Sequence, residues 1–222
     1  SVTQAGSGVL TLAGDNSYSG GTFVTSGVLQ ADRNAALGDP AGALVLDGGT
    51  FRYGAGFTMD RAVSLGTAGG TVDTQSFSAG ISRAIGGTGK LTKTGTGRLV
   101  LSADNGYTGG TTIAQGTLQL GNGGTTGSIT GDIVNDGVLA IDRSDTLTLA
   151  GIVSGSGALS QQGAGTTILT ADNSYTGGTT IARGTLQLGN GGTTGSVTGD
   201  ILDDGLLSVN RSDRLVIGGT IT

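Results

Sequence analysis

One stretch constrains this chain more than any other because it occurs three times. Gly97–Leu120 reads GRLVLSADNGYTGGTTIAQGTLQL, and Gly165–Leu188 returns it as GTTILTADNSYTGGTTIARGTLQL. A looser copy, GVLTLAGDNSYSGGTFVTSGVLQA, occupies Gly8–Ala31. Repetition at such a period is the mark of a stacked, quasi-one-dimensional fold. The equivalent asparagines are Asn16, Asn105 and Asn173, whose positions differ by 105 − 16 = 89 and 173 − 105 = 68. The two intervals differ in turn by 89 − 68 = 21, the size of one coil of a β-solenoid. If a coil takes roughly 21–23 residues, the shorter interval is about three coils and the longer about four. The first interval then holds one additional whole coil, an insertion that leaves stacked neighbours in register. This arithmetic places Asn105 and Asn173 on the same side of the molecule. The likeness runs on past the unit, from Gly121–Leu149 to Gly189–Ile217.

Within and between the units, apolar residues alternate with polar ones over short spans, the period of a half-buried strand. Leu10/Leu12, Leu99/Leu101, Leu118/Leu120, Leu139/Ile141, Leu147/Leu149, Leu186/Leu188 and Leu207/Val209 are such pairs, and Thr167 stands where Leu99 would recur. Clusters of Gly, Asn and Asp punctuate them as turns. No segment keeps a helical period. Residues 41–90 are the divergent coils, still short strands cut by glycines, and they hold Phe51, Tyr53, Phe57, Met59 and Phe77. These large side chains are expected to fill the core rather than form an exposed patch.

Short strands, glycine turns and a coil-length repeat together predict a right-handed parallel β-helix. It forms one segment over residues 1–222, about ten coils with ladders of Leu, Ile and Val inside. Glycine at 47 of 222 residues would otherwise suggest disorder, and the regular apolar pattern argues against that. Collagen is excluded because glycine does not fall at every third position. A chain that starts at Ser1 and still reads as strand at Thr220–Thr222 is expected to be a piece of a longer rod.

The formal net charge of −5 and the lack of a basic patch speak against nucleic acid as a partner. No apolar run approaches the roughly 20 residues of a membrane-spanning helix. With neither His nor Cys, the chain has no Ser-His-Asp or Cys-His machinery, no disulfide scaffold and no thiolate metal site.

The unit GxLxLxxxNxYxGGTxIxxGxLxLG resembles the passenger-associated transport repeats of bacterial autotransporter passengers. The match is strong over 97–121 and 165–189 and good over 8–30. The resemblance implies a secreted cell-surface stalk exported through the outer membrane by a C-terminal β-barrel that lies outside this chain. It implies adhesion, self-association or display of a distal region. Partners would be a host or neighbouring-cell surface protein or glycan, or the protein itself.

The candidate sites also have plain structural readings. In the NxYxGG elements (Asn16/Tyr18, Asn105/Tyr107, Asn173/Tyr175), Asn is expected to turn the chain and Tyr to brace the turn. The carboxylates Asp132, Asp136, Asp142, Asp145, Asp200, Asp203, Asp204 and Asp213 could in principle pair to cleave glycosides, the alternative reading of a carbohydrate-active enzyme. They sit in turn contexts and recur in both copies, whereas an active site is single. Arg143 and Arg211 are expected to pair with Asp145 and Asp213. The loop GNGGTTGS (Gly121–Ser128, Gly189–Ser196) reads as a protruding turn or weak contact loop, and lacks the Asp of calcium-binding nonapeptides. A threonine-lined ice-ordering surface would need TxT on every coil, and TGGTT recurs only about every third. No catalytic, cofactor-binding or metal-binding residue is assigned.

Overall fold

The computed structural model describes all 222 residues as a β-solenoid of about ten coils, every strand pair parallel. The helical content is one 3-10 turn, Asn34–Leu37. The strands stack into three faces that the chain visits in fixed order. Face I runs through Val2–Gln4, Thr22–Val24, Leu44–Leu46, Val63–Leu65 and Ile85–Gly87, then resumes at Thr146–Leu149, Thr166–Leu169, Thr185–Leu188 and Leu206–Val209. Face II runs from Val9–Leu12 to Val153–Ser154, and face III from Thr58–Met59 to Ile201–Asp203, eight strands each.

Paired residues on successive coils are 19 to 22 positions apart, as in Val9↔Val28 and Thr22↔Leu44. Coils are thus slightly shorter than the spacing argument supposed, and the correction matters. The interval from Asn105 to Asn173 makes three and a third coils. Asn105 lies in the path of face I, its Oδ1 accepting from the Ile85 N–H at 2.9 Å. Asn173 lies in the path of face II, accepting from the Val153 N–H at 2.8 Å. The expectation of a common side therefore fails, while the stacking of coil on coil holds: the unit advances one face per copy. Strand Arg98–Leu101 is in face III and its equivalent Thr166–Leu169 is in face I.

The core is a set of columns along the axis. Leu99, Leu118, Leu139 and Leu159 stack in register and are all fully buried. Leu101, Leu120 and Ile141 form a parallel column that passes through Gln161 to Ile181. Each such apolar side chain contributes roughly 1.5–3 kcal/mol by burial. Tyr53 fills the divergent coils, its ring 5.0 Å from Phe51 and 4.8 Å from Phe57. Its hydroxyl donates to the Gly80 carbonyl, and burial raises its pKa. Phe51, Tyr53 and Met59 are core as expected, whereas Phe57 and Phe77 are only partly covered.

At the tight corners the chains approach too closely for a side chain. A Cβ on Gly116 would sit 2.4 Å from the Gly97 carbonyl oxygen, and its φ of 69° lies where only glycine is unstrained.

Candidate functional site

Each copy of the unit replaces one strand with its Asn-x-Tyr element, and the asparagine stands in for the missing ladder. Asn105 accepts from the coil below, and its Nδ2 donates upward to the Ser128 carbonyl at 2.8 Å and to its own turn at Ala103. Asn173 makes the same three bonds to Val153, Ser196 and Ala171. Asn16 donates to Ala36 and Gly14. In the second and third copies one carboxamide thus ties three layers of backbone. The tyrosines turn inward, and each hydroxyl meets the threonine four residues on at 2.7 Å: Tyr18–Thr22, Tyr107–Thr111 and Tyr175–Thr179. Burial raises the pKa of Tyr107 and lifts that of Tyr175 to about 12. A side chain spent on the core and on its own coil is not offered to a ligand.

The carboxylates are distributed along the rod, and six of the eight accept hydrogen bonds, whereas the Asp142 and Asp204 side chains make none. Asp132 accepts from the Ile152 N–H at 2.8 Å and Asp200 from the Thr220 N–H at 2.7 Å, each one coil on. Asp136 takes the Ser156 N–H and hydroxyl, while Asp203 takes the N–H groups of Gly205 and Leu207. The N–H and hydroxyl of Ser156 hold Asp136 below the usual carboxylate range, and Thr220 does the same for Asp200. Arg143 and Arg211 depress Asp145 and Asp213. A glycosidase acid needs a raised pKa facing a second carboxylate across a cleft; the shifts at Asp136, Asp145, Asp200 and Asp213 are all downward. No group of three or more Asp or Glu side chains is placed to hold a metal ion.

Arg143 makes the expected contacts to Asp145 at 2.8 and 2.9 Å. It also reaches across the GNGGTTGS loop to the Thr125 carbonyl and to Asp104, which itself accepts from Gly127 and Ser128. Arg211 repeats this with Asp213, Thr193, Asp172 and Gly195. The protruding loop is therefore wrapped round a guanidinium rather than free.

Two sets of residues went unread in the sequence. Arg61 is fully buried, with no carboxylate at salt-bridge distance, and donates to the carbonyls of Asn34, Leu37, Gly38, Asp39 and Gly42 and to the Asn34 side chain. Burial lowers its pKa. The other set is Gln4, Lys93 and Gln161, which occupy equivalent corners. Gln4 donates to Gly6 and Gly8, Lys93 to Thr94, Gly95 and Gln115, and Gln161 to Gly163 and Gly165. The signal was available: a long polar residue ends the strand before each GxG, as in VTQ, LTK and LSQ. Gln161, unlike Lys93, carries an acceptor oxygen, and Thr167 in the place of Leu99 donates to it at 2.7 Å.

The family model of the passenger-associated transport repeat matches residues 2–31, 91–120 and 159–188. Each match starts on the strand bearing the corner residue, six positions before the Gly8, Gly97 and Gly165 that open the three copies. The chain thus carries three passenger-associated transport repeats. It is 45% identical over 185 residues to the adhesin BmaC autotransporter of Brucella suis biovar 1 (strain 1330). The alignment takes in 83% of this chain and 5% of that protein's length. The chain thus spans about a twentieth of the relative it matches. No solved structure matches.

Proposed function

We propose that the chain is a stalk segment of an autotransporter passenger, exported through the outer membrane to the cell surface. There it serves adhesion, self-association or the display of a distal region. The observation that carries this reading is the uninterrupted stacking of coils built on transport repeats, with the recurring asparagines of the second and third copies bonded to the coils on either side. Such a rod, about 45–50 Å long at roughly 4.7–4.9 Å per coil, works by geometry. It sets a distance from the cell and offers flat sides. The adhesin name of the relative supports a surface target, which we take to be a protein or glycan of a host or neighbouring cell, or a second copy. A downstream β-barrel would anchor it. Carboxylates that mostly bond within turns, with the shifts at Asp136 and Asp200 downward, favour this non-enzymatic reading over glycan cleavage.

The test is display of residues 1–222 on a non-adherent bacterium, alongside a passenger solenoid of equal length and unrelated surface. Greater attachment to cell monolayers, or to one another, is expected for cells bearing this chain. Equal attachment by both strains would sink the adhesive part of the reading.

A further inference from the structure

We infer that a hollow on face III binds a single neutral sugar ring, an inference that rests on the surface-adhesion reading and names a ligand class for it. The hollow has a volume of about 260 Å³, near the small end of the roughly 300–1,000 Å³ typical of ligand pockets. Its floor is a notch in an outward-facing column, Thr58–Gly80–Val100, where Gly80 carries no side chain. Phe57, Ser102 and Asn122 are among the residues that line the hollow. Phe57 is only partly covered by the core, and its ring leans on Tyr53 at 4.8 Å, which holds it in place.

The chemistry of the lining selects the ligand. A sugar ring presents an apolar C–H face and a rim of hydroxyls. Val100 offers an apolar surface for the first, while Thr58, Ser78, Ser102 and the Asn122 carboxamide can both donate to and accept from the second. No charged side chain lines the hollow, so nothing there favours a sialic acid or a sulfated sugar. The predominance of hydroxyl, amide and backbone groups over apolar ones disfavours an inserted protein side chain.

The third copy provides an internal control. One repeat on, the column is Thr148–Ile168, so a threonine occupies the place of Gly80. Asn190 and Thr170 recur there, but no hollow forms. The site needs Gly80, which the divergent coils supply, together with Asn122 from the repeated loop. This also gives the exposed tip of that loop a role that its Arg143 anchor leaves open.

The experiment is an amide-resolved NMR titration of the whole chain with methyl glycosides of neutral hexoses, and separately with sialic acid and an apolar tripeptide. Saturable shifts at Gly80, Ser102 and Asn122 are expected with at least one neutral glycoside, in the millimolar range. Gly80→Thr copies the third repeat and needs no unusual backbone angle. The nearest atom to a Cβ there is the Thr58 hydroxyl, at 3.2 Å. It should weaken binding at least tenfold without moving the thermal midpoint, and Asn122→Ala should weaken it less. Shifts confined to the tripeptide or sialic acid, neutral-sugar shifts that persist in Gly80→Thr, or no shift with any sugar would each overturn the inference. Attachment of displayed cells with no sugar-induced shift overturns this inference alone. Sugar-induced shifts without attachment support it and count against the adhesive reading.

Discussion

The first copy and the second solve the same problem with different residues. After each Asn-x-Tyr element the chain leaves the coil in a longer excursion, whose carbonyl oxygens need donors. In the second copy the excursion is Gly121–Ser128, and Arg143 fills it from the next coil with Asp104 and Asp145 beside it. In the first copy it is the 3-10 turn Asn34–Leu37 with the residues up to Gly42. Arg61 fills that one with carbonyls alone and is completely buried. A guanidinium suits both because its planar fork presents five donors at once. The difference is the environment of the charge. One is paired with carboxylates that reach water, and the other is dry and unpaired.

That contrast orders the expected effects. Arg61→Met should be the most damaging, about 3–5 kcal/mol in urea unfolding, since it strands several buried carbonyls. Loss of hydrogen-exchange protection should centre on residues 34–42. An effect no larger than that of Arg143→Met would break the comparison. Asn105→Ala and Asn173→Ala should each cost about 2–3 kcal/mol. They should agree within about 0.5 kcal/mol although they lie on different faces, because each severs the same three bonds. Arg143→Met should cost about 1–2 kcal/mol and release protection mainly at the 121–128 loop, as expected where water can replace the lost partner.

The corner residues sharpen the comparison further. Lys93→Gln leaves an amide oxygen unpaired and Leu99→Thr buries a lone hydroxyl, so each alone destabilises. Together they rebuild the Gln161–Thr167 pair, and the double-mutant cycle should show a favourable coupling of about 1 kcal/mol. The smallest effect is in pH. Burial draws the Lys93 ammonium down to about 8 from 10.5. Between those values the unfolded chain binds the extra proton, so stability rises with pH from about 8 towards 10.5 and is level below 8. Near pH 10 the buried tyrosines, whose pKa values are raised, begin to reverse the trend. Lys93→Gln should flatten the slope between pH 8 and 9.5; an unchanged slope would show that another group sets it.

Much of the fold was legible because the leucine pairs and the glycine turns are local signals that a single strand carries. The pairs from Leu99/Leu101 to Leu186/Leu188 became the core columns, whereas Leu10, Leu12 and Leu207 in the end coils are partly covered and Val209 is exposed, and the tyrosines braced their own turns. What misled was the assumption of a coil length. The true coil is slightly shorter, which turns three coils into three and a third, and no strand on its own reports that fraction. Arg61 escaped because its partners lie 19 to 27 positions away and occur once, so no repetition flagged it. The hollow at Gly80 was hidden for the opposite reason: it is defined by a side chain that is missing, and only the neighbouring coils reveal the space.

The third-of-a-turn advance has a consequence for anything that meets this rod sideways. The GNGGTTGS loops at 121–128 and 189–196 point in bearings a third of a circle apart. Two further periods of the same length would bring the loop back over the first after ten coils in all. A feature written once per period is thereby shown round the whole compass, and a surface touching the shaft from any quarter would find one within reach.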